Sequence, residues 1–480
     1  MEPLSWTGVM APLMPVLWIA AAVFAAATAI RLVASVFVAE GNRVTQSDGT
    51  LAARTGPLAV LDRIARMAFF AVLAYVVTFV VVGIVAGPGA GILGAVAQRL
   101  LPVWLALAVT FALSIAFKGR LGLYGKLFDS PIGMVGFALV MFWVYAAIFG
   151  AAGLILTHDP LVQISGMKNA LPGSPVAGND GAVYDWYLLG GDNLARDVFS
   201  RVIAGAWVVV QIAPMATLFA FMVGITLGLP AAYFGGRLDT VLSFLANLIL
   251  AFPVILLFYL LVTPEIVQTG LPAWMGAVMF LFPIAFTGIL LNARYRTRPR
   301  FNVPLLAVVL GAMFWIYLSL ISEPGSAISV LPRPLDLFDI PGGILVVFVS
   351  VVFVNAPTVL RIVRGLAMDI KTRDYVAAAQ TRGERAWYIM LWELLPNARG
   401  PLIVDFCLRV GYTTILLGTL GFFGLGLPPE SPDWGSTINE GRKLLSIYLH
   451  PALPPAIALL TLVLGLNLLA DGLREESLRD

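Results

Sequence analysis

Charge is scarce in this sequence. Only 12% of the 480 residues are Asp, Glu, Lys or Arg, about half the usual share for soluble domains, whereas 60% are hydrophobic. Such a balance excludes an ordinary soluble chain and defines a polytopic membrane protein. Cysteine is nearly missing: Cys407 stands alone in an apolar run, which rules out a disulfide framework within the chain or a cysteine metal cage and leaves packing as its role. The two histidines, His158 and His450, lie far apart. With no HExxH pair and no serine elbow, no metal site is expected and an intramembrane enzyme is poorly supported. The net charge of +3 is small and its basic residues are scattered, so there is no nucleic-acid footprint.

A phosphate-cradling loop is also missing. GRLGLYGKLF puts Arg120 where the first glycine belongs and Leu127 where Ser or Thr belongs, so the chain itself should bind neither ATP nor its Mg. GAGILG, residues 89–94, has dinucleotide-type spacing, yet it follows an apolar span and has no strand before it. The N-terminus, MEPLSWTGVM, lacks a basic leader region and reads as the start of a retained first span.

What is present is long apolar runs. Eleven approach the 20 or so residues that cross a bilayer: 10–38, 67–86, 101–117, 132–156, 205–233, 240–262, 272–291, 303–321, 343–360, 401–426 and 453–470. The third is short enough to lie at the interface instead. With the N-terminus outside, loops assigned inside hold 21 Lys and Arg and those assigned outside hold 7. Basic loops stay cytoplasmic, so the expectation is N-terminus out, C-terminus in. The Gly, Pro, Asn and Asp-rich stretch 157–204 is then external, and its cluster GGDNLARDVFSR carries Asp192, Arg196, Asp197 and Arg201. These four either order the loop or form a docking or gating surface.

Charges inside spans are costly and therefore informative. Asp405 and Arg409 are four apart, share a helix face and can pair; a structural pair is favoured over a role in a translocation path. Arg31 is expected to snorkel to the interface.

One cytoplasmic stretch is an exception to the oily rule. Residues 373–402 read RDYVAAAQTRGERAWYIMLWELLPNARGPL. Thr372 is placed to cap a helix with Asp374 in its first turn, and Ala377, Ala378 and Ala379 leave part of it nearly bare. Gly383 is expected to stop it in a left-handed conformation. Trp387, Tyr388, Leu391, Trp392 and Leu395 then form an apolar stripe suited to the membrane surface, ended by Pro396. Some forty residues separate the flanking spans, far more than a plain connector needs, so this protrusion is read as a docking element for a cytoplasmic partner.

DYVAAAQTRG followed by LLPN resembles the EAA loop of ABC-importer permeases: Ala378, Ala379, Gly383 and Pro396 match, and Asp374, Tyr375 and Asn397 are similar to the dipeptide, oligopeptide and nickel subgroup. Ala377 occupies the place of the usual glutamate. LGGDNLARDVFSRVIAGA resembles the external motif, with Ala195 for a usual glycine; GLPAAYFGGRLDT, RIVRGLAMDIKTRDYV, LGFFGLGLPPESPDWG and NLLADGLREE resemble further blocks in the same order. The chain is similar to the C-type permease subunit of peptide importers. This resemblance implies an all-α chain with a six-span core, in the order 1–125 N-terminal extension, 126–270 first core part, 271–341 inserted helix pair, and 342–480 second core part with a coupling loop at 361–400. It further implies a bacterial inner membrane location, a homologous second permease, two cytoplasmic ATPases that carry ATP and Mg, and an extracytoplasmic solute-binding protein. Asp374, Tyr375, Ala378, Ala379, Arg382, Gly383, Arg385 and Pro396 would then face the ATPase. The cargo would be a peptide, with nickel or another solute as the alternative and a stand-alone secondary transporter less favoured.

Overall fold

A computed structural model describes residues 2–37, 57–176, 184–322, 335, 342–425 and 430–477. Arg43, Arg54, Arg333 and Arg479 of the charge comparison, residues 426–429 of the LGFFGLGLPPESPDWG block, and the 341 domain boundary lie outside the described residues. Among the described residues the architecture is helical, with one two-stranded antiparallel sheet, β1 Ser174–Pro175 and β2 Trp186–Tyr187.

All eleven apolar runs are helical. They are α1 Met14–Phe37, α2 Pro57–Ala86 (continued by α3 Gly91–Arg99), α4 Leu101–Ala116, α6 Pro131–Ala151 after the short α5 Gly122–Lys126, α7 Val198–Phe234, α8 Gly236–Leu250 with α9 Val254–Val262, α11 Leu271–Met279 with α12 Leu281–Tyr295 after the short α10 Pro264–Gln268, α13 Pro299–Ile321, α14 Gly342–Ile370, α18 Arg399–Phe423 and α20 Leu453–Ser477. Among the described residues nine helices are long and apolar enough to cross a membrane, and up to ten if a bent pair is one span. The expected eleven is corrected at two places. The 240–262 run is broken by 82° between α8 and α9, where Pro253 lacks an N–H and disfavours helix at Phe252 before it. The 101–117 run is a helix of 16 residues, about 24 Å long against a hydrocarbon core of about 30 Å.

Small residues set two close crossings of the bundle, as expected where no water drives helices together. Gly224 and Gly228 let α7 meet α14: a Cβ on Gly224 would stand 2.5 Å from Val359 Cγ1, and one on Gly228 2.9 Å from the Leu360 carbonyl. Gly136 and Gly465 do the same for α6 and α20, where a Cβ on Gly136 would stand 2.3 Å from the Leu469 nitrogen.

The bundle has two faces. The N-terminal segment lies with the 157–204 loop, through Leu4 N to Gly173 O at 2.9 Å and Trp186 Nε1 to Glu2 O at 3.1 Å. GAGILG forms part of this junction rather than a nucleotide loop: Gly91, at φ +74°, would bring a Cβ within 2.3 Å of Ser5 O. The C-terminal helix ends at the other face, where Gly472 meets Gly133 and Leu127. The first and last described segments therefore lie at opposite faces. Arg31 does not simply snorkel; its Nε is 2.7 Å from Asp62 Oδ1 of α2.

Candidate functional site

The polar island is a folded hairpin: α15 Asp374–Thr381, α16 Ala386–Tyr388, a π-helical stretch Ile389–Leu394, and α17 Leu395–Asn397. Arg373 stands at the N-cap with no side-chain cap bond. Thr372 does not cap, because its hydroxyl is turned back to Asp369 O at 2.9 Å. Gly383 ends α15 as expected, at φ +76°. Its N–H donates to Gln380 O at 2.9 Å and that of Glu384 to Ala379 O at 3.2 Å, the paired bonds of a Schellman turn, which requires a left-handed residue.

One side of the hairpin is keyed into the bundle. Val376 and Ala379 are fully buried, with Ile389, Met390 and Leu394, against Leu229 and Ala232 of α7 and Val363, Ala367 and Ile370 of α14. Two expectations change accordingly. Ala379 cannot touch a partner, so the bare outward surface is Ala377 and Ala378, both exposed. The aromatic stripe is not a separate free face; Leu391 is buried, Trp387, Trp392 and Leu395 are half-buried against the same core, and Tyr388 is half-buried. The surplus residue of the π turn aims Ile389, Met390 and Leu394 inward together, the kind of local insertion such turns provide. Pro396 does not itself end the helical run, which continues to Asn397, whose Nδ2 donates to Glu393 O at 2.6 Å.

Asp374, Tyr375, Arg382, Gly383, Arg385 and Pro396 are exposed on the outward side. Arg382 is already paired with Glu393 at 3.1 Å, an exposed pair of modest strength. The face is anchored beside a further pair missed by the sequence reading: Arg364 of α14 grips both Asp239 carboxylate oxygens at the α7–α8 turn, with Nη2 to Oδ2 at 2.6 Å. Lys371 Nζ adds a bond to Ala232 O at 2.7 Å.

At the opposite face, Asp192, Arg196, Asp197 and Arg201 are brought together but are 0–3% exposed. As direct docking contacts they are corrected: buried charges cannot meet an incoming protein, and they order the loop instead. Asp197 is the N-cap of α7, its carboxylate accepting from Ser200 N at 3.1 Å, Ser200 Oγ at 2.7 Å and Thr157 Oγ1 at 2.6 Å. An anion there suits the positive end of the helix dipole. Arg196 Nε reaches Asp192 Oδ2 at 2.7 Å, and its Nη2 reaches Glu440 of α19, Trp434–Arg442. Arg201 Nη2 donates to Thr437 Oγ1 at 3.1 Å and to Ser431 O at 3.3 Å. Hence residues 192–201 and 431–440 form one buried cluster, and Trp434 seals it with Nε1 on Val202 O at 2.8 Å. Burial pushes the Asp433 carboxyl up, against hydrogen bonds from Ser436, while its Oδ1 caps α19 through Ser436 N at 2.9 Å. Burial also lowers His450, whose Nε2 lies 3.1 Å from Gly191 O. Glu440, Thr437 and Asp433 were not singled out from sequence, since a loop pairing across some 240 positions leaves no local spacing.

Ala195 explains one motif departure. It sits at φ +64°, the left-handed region in which glycine is at ease. Within the bundle, Asp405 and Arg409 pair along α18 at 2.6 Å, with Arg409 7% exposed. Next to them Thr413 contacts Thr217 Oγ1 at 3.3 Å and receives Asn355 Nδ2 at 3.4 Å, a polar seam joining α18, α7 and α14.

These features define a class: a helical membrane component that holds a rigid loop assembly at one face and a small-faced hairpin at the other. The comparisons give it a lineage. Residues 301–475 match the family described as "Binding-protein-dependent transport system inner membrane component". The chain is 28% identical over 287 residues to the glutathione transport system permease protein GsiD of Pectobacterium atrosepticum, covering 60% of this chain and 70% of that one. It is 26% identical over 337 residues to the dipeptide transport system permease protein DppC of Haemophilus influenzae, covering 70% and 87%. It is 25% identical over 347 residues to the probable D,D-dipeptide transport system permease protein DdpC of Escherichia coli, covering 72% and 87%. The resemblance carried by the motifs is thus borne out over residues 301–475, which are similar to this inner-membrane component family.

Proposed function

We propose that the chain is the transmembrane permease subunit of an ATP-driven importer of peptides, supplying half of a translocation pathway. The supporting observation is the division of the hairpin into a buried side, with Val376, Ala379, Ile389, Met390 and Leu394, and an exposed side carrying Ala377, Ala378 and Gly383. A surface so fixed moves with α7 and α14, and α14 and α7 cross tightly at Gly224 and Gly228. An ATPase seated on it would therefore tilt spanning helices when it closes on ATP.

In this reading the hairpin face is cytoplasmic, the loop face and the N-terminus are outside, and ATP and Mg belong to two partner ATPases. A second, homologous permease completes the pathway. A solute-binding protein docks at the loop face through the surface that the buried cluster holds in shape, and the cargo is a peptide, as the names of the relatives indicate. The segments 1–125 and 271–341 stand outside the six-span core of 126–270 and 342–480.

The test is uptake of labelled di- and oligopeptides into vesicles bearing the assembled complex. Uptake should vanish when the partner ATPase is inactivated. Uptake that persists on a proton gradient alone would overturn the ATP-driven mechanism.

A further inference from the structure

The transport reading leaves the turn between α12 and α13 unused. It reads ARYRTRPRF over residues 293–301, and all but its final residue precede the matched family region. Arg294, Arg296, Arg298 and Arg300 are all exposed, and none has an ion-pair partner among the described residues. No acidic residue occurs between Glu265 and Glu323. The turn also sits at the end of two apolar helices, and it is closed by an edge-on pair of aromatic rings, Tyr295 and Phe301, with centroids 5.2 Å apart. Aromatic rings with unpaired arginines at helix ends mark the level where hydrocarbon gives way to headgroups.

The same turn touches the hairpin. The Arg294 guanidinium lies over the Trp392 ring, 4.8 Å from its centroid, and Phe286, Ile289, Leu290 and Ala293 of α12 pack on the core that holds Met390 and Leu394. Trp392 Nε1 is buried without a partner among the described residues. Arg294 thus contacts a hairpin ring while Arg296, Arg298 and Arg300 stand exposed beside it.

We propose that Arg296, Arg298 and Arg300 form a site for the phosphate of anionic phospholipid headgroups, and that lipid held there braces the hairpin through Arg294 and Trp392. Arginine's planar fork fits phosphate oxygens with paired hydrogen bonds. With no carboxylate paired to these arginines among the described residues, the lipid supplies the counter-charge. Once the turn is pinned, Arg294 and the α12 face stay against Trp392, so the hairpin keeps one geometry. The coupling consequence rests on the transport reading, whereas the lipid site itself does not.

The purified full chain, equilibrated with equal phosphatidylglycerol and phosphatidylcholine, is released from detergent in a mass spectrometer and its retained lipids are counted. Amide exchange across residues 386–394 is followed in parallel. We expect phosphatidylglycerol to be retained preferentially, retention to fall by about a hundredfold in R296Q/R298Q/R300Q, each arginine near an anionic surface being worth about fivefold, and to fall by less in R296K/R298K/R300K, which keeps the charge but loses the paired hydrogen bonds of the guanidinium fork. Phosphatidylglycerol should slow exchange at residues 386–394 in the wild type but not in Arg294→Gln. Inorganic phosphate at millimolar concentration should reproduce neither effect; if it does, the ligand is free phosphate and the lipid assignment falls. Equal retention by wild type and the glutamine triple variant overturns the site, and exchange indifferent to lipid overturns the brace. Neither readout requires transport, so failed uptake leaves the lipid result standing on its own.

Discussion

Gly383 can separate two explanations for the turn that ends α15, backbone conformation and close contact with a partner, by substitution at one position. Its φ of +76° carries both Schellman bonds, yet a Cβ there would meet nothing within 4 Å of its own chain. Any intrinsic cost of a side chain is therefore torsional. A non-glycine residue in the left-handed region costs about 1–2 kcal/mol, a factor of roughly 5–30 in the population of the native turn. Asn is several-fold enriched there and should cost least; Ala is intermediate, and β-branched Val is the worst. If the turn's shape matters, peptide uptake and stimulated ATP hydrolysis by the reconstituted importer should fall in the order Asn, Ala, Val, with Val uncoupling. If a partner fills the space over Gly383, the order follows side-chain volume and Ala is the mildest. The hairpin is a small part of the molecule, so the denaturation midpoint should change little in all three. Wild-type uptake and ATPase stimulation in a folded Gly383→Val protein would refute the coupling role of the turn.

Ala195→Gly should raise stability by about 1 kcal/mol by removing left-handed strain, read as a higher denaturation midpoint; a lower one would mean that the methyl packed beside Met167 and Tyr187 matters more. Gly136→Leu should cost about 1–3 kcal/mol or more through overpacking, since even its Cβ would meet the Leu469 backbone at 2.3 Å, whereas Gly365→Ala, with nothing within 4 Å, should be tolerated; comparable expression and melting of the two would contradict the crossing geometry. His450 is depressed below its ordinary value of 6.5 chiefly by burial. Its neutral form therefore contributes stability that is present above pH 6.5 and lost as pH falls through the depressed folded value. Amide exchange near Gly190–Asp192 should accelerate on acidification across that window and flatten in His450→Gln; an unchanged pH dependence in that variant would assign the effect elsewhere.

The helices and the hairpin were legible because their signals are local. Apolar runs of span length, Gly383 after an alanine helix, and the i, i+4 pair Asp405–Arg409 each rest on neighbours within a turn or two. What escaped depends on tertiary partners. Ala378 and Ala379 look alike in sequence, yet only Ala379 faces α7 and α14, because the Schellman turn and the π segment fix how the hairpin rolls onto them. The loop charges read as a surface because loops usually are one, and nothing nearby announces Glu440 and Thr437 as their partners. The 82° break at α8–α9 was missed because hydropathy continues through Phe252-Pro253 while the backbone cannot.

The two candidate sites share one element. α7 starts at the buried cluster with Asp197 as its cap and Arg201 in its first turns, and ends at Leu229 and Ala232 under the hairpin. Its 37 residues run about 55 Å at 1.5 Å per residue and include Pro214 and Pro230, each of which removes one backbone hydrogen bond, so the two sites are joined by one continuous helix with a soft point near its middle. That arrangement gives the buried charges a purpose beyond loop order. Removing one partner of such a pair leaves an uncompensated charge and costs about 3–5 kcal/mol, so Arg196 and Arg201 fasten α19 and the loop firmly to the head of α7. A loop tied this way travels with the helix as a unit. In the proposed transport reading, the outer surface of that loop, rather than the charges beneath it, is what an external partner would meet.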